Sequence, residues 1–517
     1  MRLDFGQPDF DDDDEDEPQP VQPLPSPPDL SGPPPPTAPA EVRAAEAARL
    51  VAWVEQMGGS AAGVSPVAAK LADGTSGVGL VATDSARRGD VLLSVPLSLG
   101  LSAESALRSS IGPYLSDFDP LLADYAFIAL ALIHERSLGT ESQLAPWLSG
   151  CPALLPAAGF AELPLLWDSE GIAQLASATT AGATERVADV REDFEWLQAN
   201  VFAQNPAVFP PNVFCYGAYM AAVATAFSRA LPIAASGDQY DARPILLPLL
   251  DLANHDGARP TAAVGFAAAQ KAGPFGGAAA PACATLVASA NSLDKGTALC
   301  VRYGGTTAGE MLLDHGFLAE PVAPVAALPF EIDEDDRFLD EKYDVLDLVE
   351  LDPEYPCLLT EEGEIPPAEL LAFLRLKHID AADAFLLEPV FIDVLWNEHL
   401  QLPVSEDNER RSLSDVGSRC DAVLAGFGGS LQEDLQTLAE ADRASRAYAL
   451  AAVRYAERRV LQSTSRAIEA KLGTLKGLEY YQQRRLNALG LQPVESEEEL
   501  DALRAAGRQY STDDIDW

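Results

Sequence analysis

The chain has 517 residues, of which 79 are acidic and 35 are basic, so its formal net charge is −44 at pH 7. That charge argues against a nucleic-acid partner, because such partners are bound through surfaces that neutralise phosphates. Hydrophobic residues make up 48% of the chain. No apolar run approaches the roughly 20 residues that span a bilayer. We therefore expect no membrane partner. The length predicts about two or three domains.

The cysteines and histidines do not form a recognisable metal or disulfide pattern. No Cys-x-x-Cys pair occurs, and the five histidines lie outside ligand spacing. We therefore expect no bound metal and reduced thiols in an intracellular protein. The six cysteines are Cys151, Cys215, Cys283, Cys300, Cys357 and Cys420.

The first forty residues differ from the rest in composition. Residues 11–17 are all acidic, and 33–36 are all proline. Segment 1–40 cannot bury enough apolar surface to offset its ordering entropy, which predicts a disordered tail. It lacks the apolar core of a secretory signal and the Arg- and Ser-rich composition of a transit peptide. On these grounds we expect a cytoplasmic or nuclear protein.

Hydrophobic periodicity predicts alternating strands and helices over the next two hundred residues. A helix over 41–57 should end at Gly58-Gly59. Two strands, 77–82 and 91–96, follow and are joined by a turn. From about 101 to 200 the pattern is helical, and its apolar segment 125–135 predicts a buried helix.

The middle of the chain alternates strand and loop patterns. A helix over 216–231 precedes the apolar run 244–250, which is typical of a buried strand or extended segment. The Ala- and Gly-rich stretch 257–284 is predicted to be a surface insertion. Strands are expected at 285–288 and 298–303.

Helical spacing dominates the remainder of the chain. Apolar residues recur at intervals of three and four over 369–377, 380–387, 414–426 and 431–472. This pattern predicts an all-helical second domain over 329–489 and a C-terminal tail over 490–517.

Several polar and aromatic residues lie at the ends of predicted strands. Gly77 and Gly79 would let a ligand approach the backbone, but a dinucleotide fingerprint needs a third glycine. Asn254 and His255 follow a buried segment and need polar partners. Tyr303 ends a later strand. Each aromatic residue alone is more typical of core than of a site.

The ordered combination of these segments is more informative. It resembles the SET-domain methyltransferases, and in particular the plant Rubisco large-subunit lysine methyltransferase class. The resemblance covers about 41–489. It is carried by Gly77-x-Gly79, Ser228-Arg229-Ala230, Asp251-Leu-Ala-Asn254-His255, Tyr303-Gly304 and Gly316-Phe317.

The resemblance implies an α+β fold. A SET domain over 41–320 would consist of small β-sheets with a pseudoknot and carry a helical insertion at about 101–210. The all-α domain over 329–489 would bind the substrate protein. The implied activity is transfer of methyl groups from S-adenosyl-L-methionine to a lysine side chain of a non-histone protein. Rubisco large subunit and aldolase are the implied candidate acceptors. The same resemblance allows a chloroplast location, and we expect a monomer.

The resemblance also implies residue roles. Tyr303 would be catalytic, at the mouth of the lysine channel. Arg229 would pair with the cofactor carboxylate, and Phe317 would pack against the adenine. The implied cofactor-binding set is Ser76, Gly77, Val78, Arg229, Asn254, His255 and Phe317.

Methyl transfer to an amine agrees with these residue types. The amine must be neutral and aligned, although a free lysine has a pKa near about 10.4. Carbonyl oxygens and a tyrosine hydroxyl can bind the neutral amine and orient its lone pair. Neither a metal nor an acid–base pair is needed.

Three positions depart from the family pattern. Thr307-Ala308 stands where Ser-Asn is common, which puts one loop contact in doubt. His315 replaces a tyrosine, which leaves the number of transferred methyl groups open. Ser76 stands where an acidic residue is common. Two alternatives remain open: a protein-histidine methyltransferase of the same fold, which the resemblance also allows, and a catalytically inactive SET-domain scaffold, which the Thr307-Ala308 departure allows.

Overall fold

A computed structural model describes most of the chain between residues 39 and 490. The described ranges are 39–70, 76–116, 122–150, 163–234, 242–270, 280–303, 307–318, 322–361, 365–443 and 445–490. The predicted N-terminal tail lies outside them except for residues 39–40, and so does the C-terminal tail except for residue 490. Cys151 and Gly304 also lie outside.

Short strands form several small sheets in the first 301 residues. One sheet has the order β1-β2-β11-β7, a second has the order β4-β9-β8, and β3–β10 and β5–β6 form separate pairs. The strands are β1 Val64–Lys70, β2 Ser76–Ala82, β3 Ala86–Arg87, β4 Val91–Pro96, β5 Leu231–Ile233, β6 Arg243–Ile245, β7 Asn254–His255, β8 Ala262–Ala267, β9 Cys283–Ala288, β10 Ser292–Leu293 and β11 Ala298–Val301.

The two strands expected to be joined by a turn are present but belong to different sheets. Strand β2 pairs with β1 and β11, whereas β4 pairs with β9. Strand β1 was not predicted; it contains Pro66 and lies at a sheet edge, where a missing backbone donor is tolerated. Strand β8 lies within the predicted surface insertion 257–284, because small Ala and Gly side chains give little alternation.

Seven α-helices in the described residues pack around this β core. The largely apolar segment predicted to be a buried helix is α3, in which every residue from Ala126 to His134 is buried. It packs against α7. The helices are α1 Ala40–Gln56, α2 Ala103–Arg108, α3 Asp124–Leu138, α4 Ala145–Gly150, α5 Ser169–Ala176, α6 Ala183–Leu197 and α7 Tyr216–Arg229.

After β11, α8 Ala308–His315 leads into the C-terminal region, which is mainly helical as expected. The expectation of an all-α domain is corrected by one antiparallel hairpin, β12 Val325–Glu331 with β13 Glu354–Thr360. Buried Ala326, Leu328 and Phe330 alternate with more exposed residues, which is the strand period that the acidic surroundings obscured.

Seven further helices in the described residues complete this region. The long helix predicted over 431–472 is two helices, because Ser445 caps the second by accepting a hydrogen bond from the Tyr448 amide. The helices are α9 Leu339–Leu348, α10 Ala368–Lys377, α11 Pro389–Val394, α12 Glu406–Gly426, α13 Leu431–Glu440, α14 Arg446–Leu472 and α15 Tyr481–Ala488.

A small apolar cluster joins the two regions. Leu175 from α5 and Leu312 from α8 belong to the same buried cluster as Leu450 and Val453 from α14. The C-terminal region therefore packs directly on α8, the helix that follows Tyr303.

No described helix is both long and apolar enough to cross a membrane. Among the described residues, no group of three or more His, Cys, Asp or Glu side chains could hold a metal ion.

Candidate active site

A two-residue parallel pairing brings distant parts of the chain together. Strand β7 pairs with β11, with Asn254 opposite Cys300 and His255 opposite Val301. Tyr303 follows β11 by two residues. The polar pair and the tyrosine, which are about fifty residues apart in sequence, therefore lie side by side.

The Asn254 side chain connects β7 to β2. Its Nδ2 donates a hydrogen bond to the Val78 carbonyl at 3.2 Å. A Cβ atom on Gly79 would lie 2.6 Å from the same Nδ2, closer than real Cβ contacts allow. Glycine at position 79 is thus what lets the amide reach the strand.

His255 fixes the chain around Tyr303. Its Nδ1 accepts a hydrogen bond from the Tyr303 amide at 3.1 Å, so the proton of the neutral ring is on Nε2. Burial lowers the pKa of His255, which favours the neutral ring. The His255 ring centroid lies 5.2 Å from that of Tyr303 and 6.2 Å from that of Phe317.

The Tyr303 hydroxyl is held as a hydrogen-bond donor. It donates to the Ala253 carbonyl at 2.9 Å. Burial, with a smaller contribution from Asp251, raises the pKa of Tyr303 to about 12. The phenol is therefore protonated at neutral pH, and it is not a general base there.

A cavity of about 370 Å³ opens beside this hydroxyl. Its walls include Ser228 and Arg229 at the end of α7, Asp251, Tyr303, and His315 at the end of α8. Arg229 Nη1 donates to the Asp251 carbonyl at 3.1 Å. The cavity thus combines backbone carbonyls, a phenol and a guanidinium.

Asp251 is a buried carboxyl group in the cavity wall. Its Oδ2 accepts a hydrogen bond of 3.4 Å from Trp147 Nε1, whereas Oδ1 has no hydrogen-bond partner among the described residues. Burial raises the pKa of Asp251 to about 6, although Arg229 acts in the opposite direction.

His315 contributes a neutral ring to the same wall. Its Nδ1 lies 3.2 Å from the Ser228 carbonyl, which can only accept, so Nδ1 carries the proton. Burial lowers the pKa of His315 to about 4. The ring centroid is 4.8 Å from that of Tyr303. From the sequence, His315 was recognised only as a departure from the family pattern.

The residues expected to bind the cofactor fall into two groups. Arg229 lines the cavity. Val78, Asn254, His255 and Phe317 do not line it: Asn254 bonds to Val78, and the rings of His255 and Phe317 lie 5.2 and 6.5 Å from that of Tyr303 between centroids. Gly77 is buried in β2.

Two of the departures from the family pattern have visible structural partners. The carbonyl of the exposed Ser76 accepts a hydrogen bond from Arg43 Nη2 at 3.0 Å. Thr307 is the N-cap of α8 and forms a capping box with Glu310.

Known proteins share this architecture. Residues 333–461 match the family model described as Rubisco LSMT substrate-binding. The Rubisco large subunit N-methyltransferase of Pisum sativum is 30% identical over 446 residues, covering 85% of each chain. The aldolase-lysine N-methyltransferase of Arabidopsis thaliana is 30% identical over 428 residues, covering 80% of this chain and 82% of that protein.

The fold comparison agrees. The crystal structure of the SET domain of LSMT bound to lysine and AdoHcy superposes with a TM-score of 0.67 and 26% sequence identity. The match covers 90% of this chain and 99% of the other.

The chain belongs to the Rubisco large-subunit methyltransferase class of SET-domain proteins. This class consists of protein-lysine N-methyltransferases that use S-adenosylmethionine. The α+β fold class expected from the sequence is confirmed.

Asp251 gives a pH-dependent prediction. Its folded-state pKa lies above the ordinary value, so its contribution to stability is complete below about pH 4 and is lost as the pH rises through about 6. Asp251→Asn removes this loss. The difference in free energy of unfolding, Asp251→Asn minus wild type, should therefore be about 1 kcal/mol larger at pH 7.5 than at pH 5. Urea unfolding of both proteins at both pH values measures this, and an unchanged difference would contradict it.

Proposed function

We propose that the cavity beside Tyr303 is where this SET-domain methyltransferase binds the side-chain amine of a lysine from a non-histone protein. The observation that carries the proposal is the protonated Tyr303 hydroxyl, which already donates to the Ala253 carbonyl. Its oxygen can therefore accept an N–H bond from an incoming amine. Ser228 and Asp251 line the same cavity, and their carbonyl oxygens bond to His315 and Arg229.

The surrounding residues suit S-adenosylmethionine. Arg229 is a guanidinium in the cavity wall, whose geometry fits a carboxylate. Strand β11 pairs with β2 only at Leu80 and Val81, so the Ser76–Val78 backbone is not paired to β11. These backbone groups, with Asn254 from β7, are proposed to hold the polar part of the cofactor.

Aromatic and imidazole rings form the other half of the proposed cofactor site. His255 lies 6.2 Å from Phe317, which in turn lies 6.5 Å from Tyr303 between ring centroids. Such faces favour an adenine ring and a sulfonium cation. When bound, S-adenosylmethionine supplies the electrophilic methyl group.

The protein contributes alignment and desolvation. A lysine amine is protonated in water, and removal from solvent lowers its pKa. The carbonyl oxygens and the Tyr303 hydroxyl then bind the neutral amine and direct its lone pair. Since the pKa values of Tyr303 and His315 are shifted away from neutrality, neither group adds charge to the channel at pH 7.

The acceptor is proposed to be a plastid protein. The pea and Arabidopsis relatives are named for Rubisco large subunit and for aldolase, and both are named chloroplastic. Their names support the plastid over the cytosol or nucleus suggested by the acidic N-terminal segment. Rubisco large subunit and aldolase are the candidate acceptors. The active protein is proposed to be a monomer without nucleic-acid or membrane partners.

The domain division remains part of the proposal. The match to the substrate-binding model over 333–461 supports a recognition domain over about 329–489 and a catalytic SET domain over about 41–320. Strand β12 spans residue 329, so the hairpin lies at the junction.

Tyr303→Phe tests the catalytic role. Removing the hydroxyl should lower kcat for methyl transfer about 100-fold, while the affinity for S-adenosylhomocysteine stays within about threefold. The assay incubates each protein with labelled S-adenosylmethionine and purified Rubisco or aldolase, followed by mass spectrometry of labelled residues. Tyr114→Phe, at a tyrosine that is 38% exposed, is the matched control.

Each other outcome of that assay has a meaning. Full activity in Tyr303→Phe would remove the proposed role of the hydroxyl. Label on histidine would select the histidine methyltransferase. Cofactor binding without any label, on these proteins and on a plastid lysate, would select the inactive scaffold.

The net charge of −44 predicts attraction of basic acceptor surfaces. Raising the salt concentration from about 50 to 500 mM should lower kcat/KM severalfold for a basic acceptor protein, because screening shortens the range of the attraction. A lysine-containing peptide of zero net charge should change much less. Equal salt dependence for both would contradict electrostatic steering.

A further inference from the structure

A buried carboxyl group of α14 contacts the turn between α5 and α6. Glu457 is fully buried. Its Oε1 accepts a hydrogen bond from Thr179 Oγ1 and its Oε2 accepts one from the Thr180 amide, each at 2.5 Å. These partners precede it by more than 270 residues, so the contact joins the C-terminal region to the helical insertion.

The Glu457–Thr179 contact packs closely against α8. A Cβ atom on Gly309 would lie 1.7 Å from Thr179 Oγ1 and 2.8 Å from Glu457 Oε1. The first turn of α8 therefore lies directly on the Glu457–Thr179 pair. The apolar cluster beneath includes Leu312 of α8 and Val453 of α14.

Helix α8 determines where two residues of the candidate site lie. Its last residue is His315, whose ring lies 4.8 Å from Tyr303. Phe317 follows one residue after the Gly316 cap, and its ring lies 6.2 Å from that of His255. Moving the first turn of α8 would carry both rings with it, because eight helical residues move as a unit.

We propose that Glu457 is a positioning residue that couples the C-terminal region to the methyl-transfer site through Gly309 and α8. The part that concerns ligand affinity rests on the proposed cofactor site beside His255 and Phe317. The Glu457–Thr179–Gly309 contact is hereafter called the α14–α8 joint.

The charge state of Glu457 makes the α14–α8 joint sensitive to pH. Burial raises the pKa of Glu457 to about 7, nearby Glu310 of α8 adds to the rise, and the bonds from Thr179 and Thr180 oppose it. Because the folded-state pKa lies above the ordinary value, the stabilisation is complete below about pH 4 and is lost as the pH rises through about 7. The joint should be tighter at pH 6 than at pH 8.

Two substitutions separate charge from contact. Glu457→Gln keeps the shape and can still bond to Thr180, but it cannot ionise. Glu457→Ala removes both bonds. Glu469→Ala, at an exposed position on the same helix, is the matched control.

Amide hydrogen exchange over Ala308–His315, corrected for intrinsic rates, is the first readout. In wild type we expect about tenfold faster exchange at pH 8 than at pH 6, in Glu457→Gln no such pH step, and in Glu457→Ala fast exchange at both. The proposal is overturned if Glu457→Gln retains the wild-type pH step. It is also overturned if a folded Glu457→Ala exchanges like Glu469→Ala.

Calorimetric titration with S-adenosylhomocysteine is the second readout. Glu457→Ala should bind about tenfold more weakly than Glu469→Ala, and Glu457→Gln should bind equally at pH 6 and pH 8. Unchanged affinity in Glu457→Ala with altered α8 exchange would overturn the coupling to the site. If wild type itself failed to bind S-adenosylhomocysteine, the proposed cofactor site would be wrong, whereas the exchange data would still test the joint.

Discussion

The site depends on one short parallel pairing, that of β7 with β11. Two residues of β7 each make one further bond: Asn254 to the Val78 carbonyl of β2, and His255 to the Tyr303 amide. These bonds hold the segments around Val78, Asn254 and Tyr303 next to one another. Without these bonds, nothing would hold the Tyr303 hydroxyl within hydrogen-bond distance of the Ala253 carbonyl.

Burial rather than pairing of opposite charges governs the chemistry of the site. The same loss of solvent raises the pKa of Tyr303 and of Asp251 and lowers that of His315. Each shift favours the uncharged form of its group, while Arg229 supplies a positive charge in the wall. Such a channel disfavours a protonated amine and suits a neutral one, which methyl transfer requires.

The sequence could predict elements whose signal is local. The segment 125–135 predicts α3 because it is apolar from Ala126 to Ile133, and Gly58-Gly59 correctly ends α1. Strand β1 was missed because Pro66 contradicts the usual strand composition, and β8 because its three alanines and one glycine give little contrast between the two faces of the strand. The hairpin of β12 and β13 has a period of two, but the helical spacing of the segments around it is the stronger signal.

The candidate site was predictable only through the family resemblance. Asn254, His255, Tyr303 and Phe317 are found in mutual contact or on neighbouring strands, which no periodicity of the chain could have shown. His315 was noticed as a substitution, and only its contact with Ser228 places it in the cavity wall. Glu457 gave no signal at all, since it is one acidic residue in a charged helix and its partners are distant in sequence.

The close approach of Asn254 to Gly79 offers the most direct test of this account. Gly79→Ala would place a Cβ atom 2.6 Å from Asn254 Nδ2 and push the amide off β2. Gly426→Ala, where a Cβ would meet no atom within 4 Å, is the matched control. By calorimetry, Gly79→Ala should bind S-adenosylhomocysteine at least about tenfold more weakly than Gly426→Ala, with both proteins folded. Equal affinity in the two variants would contradict the claim that the β7–β2 contact builds the cofactor site.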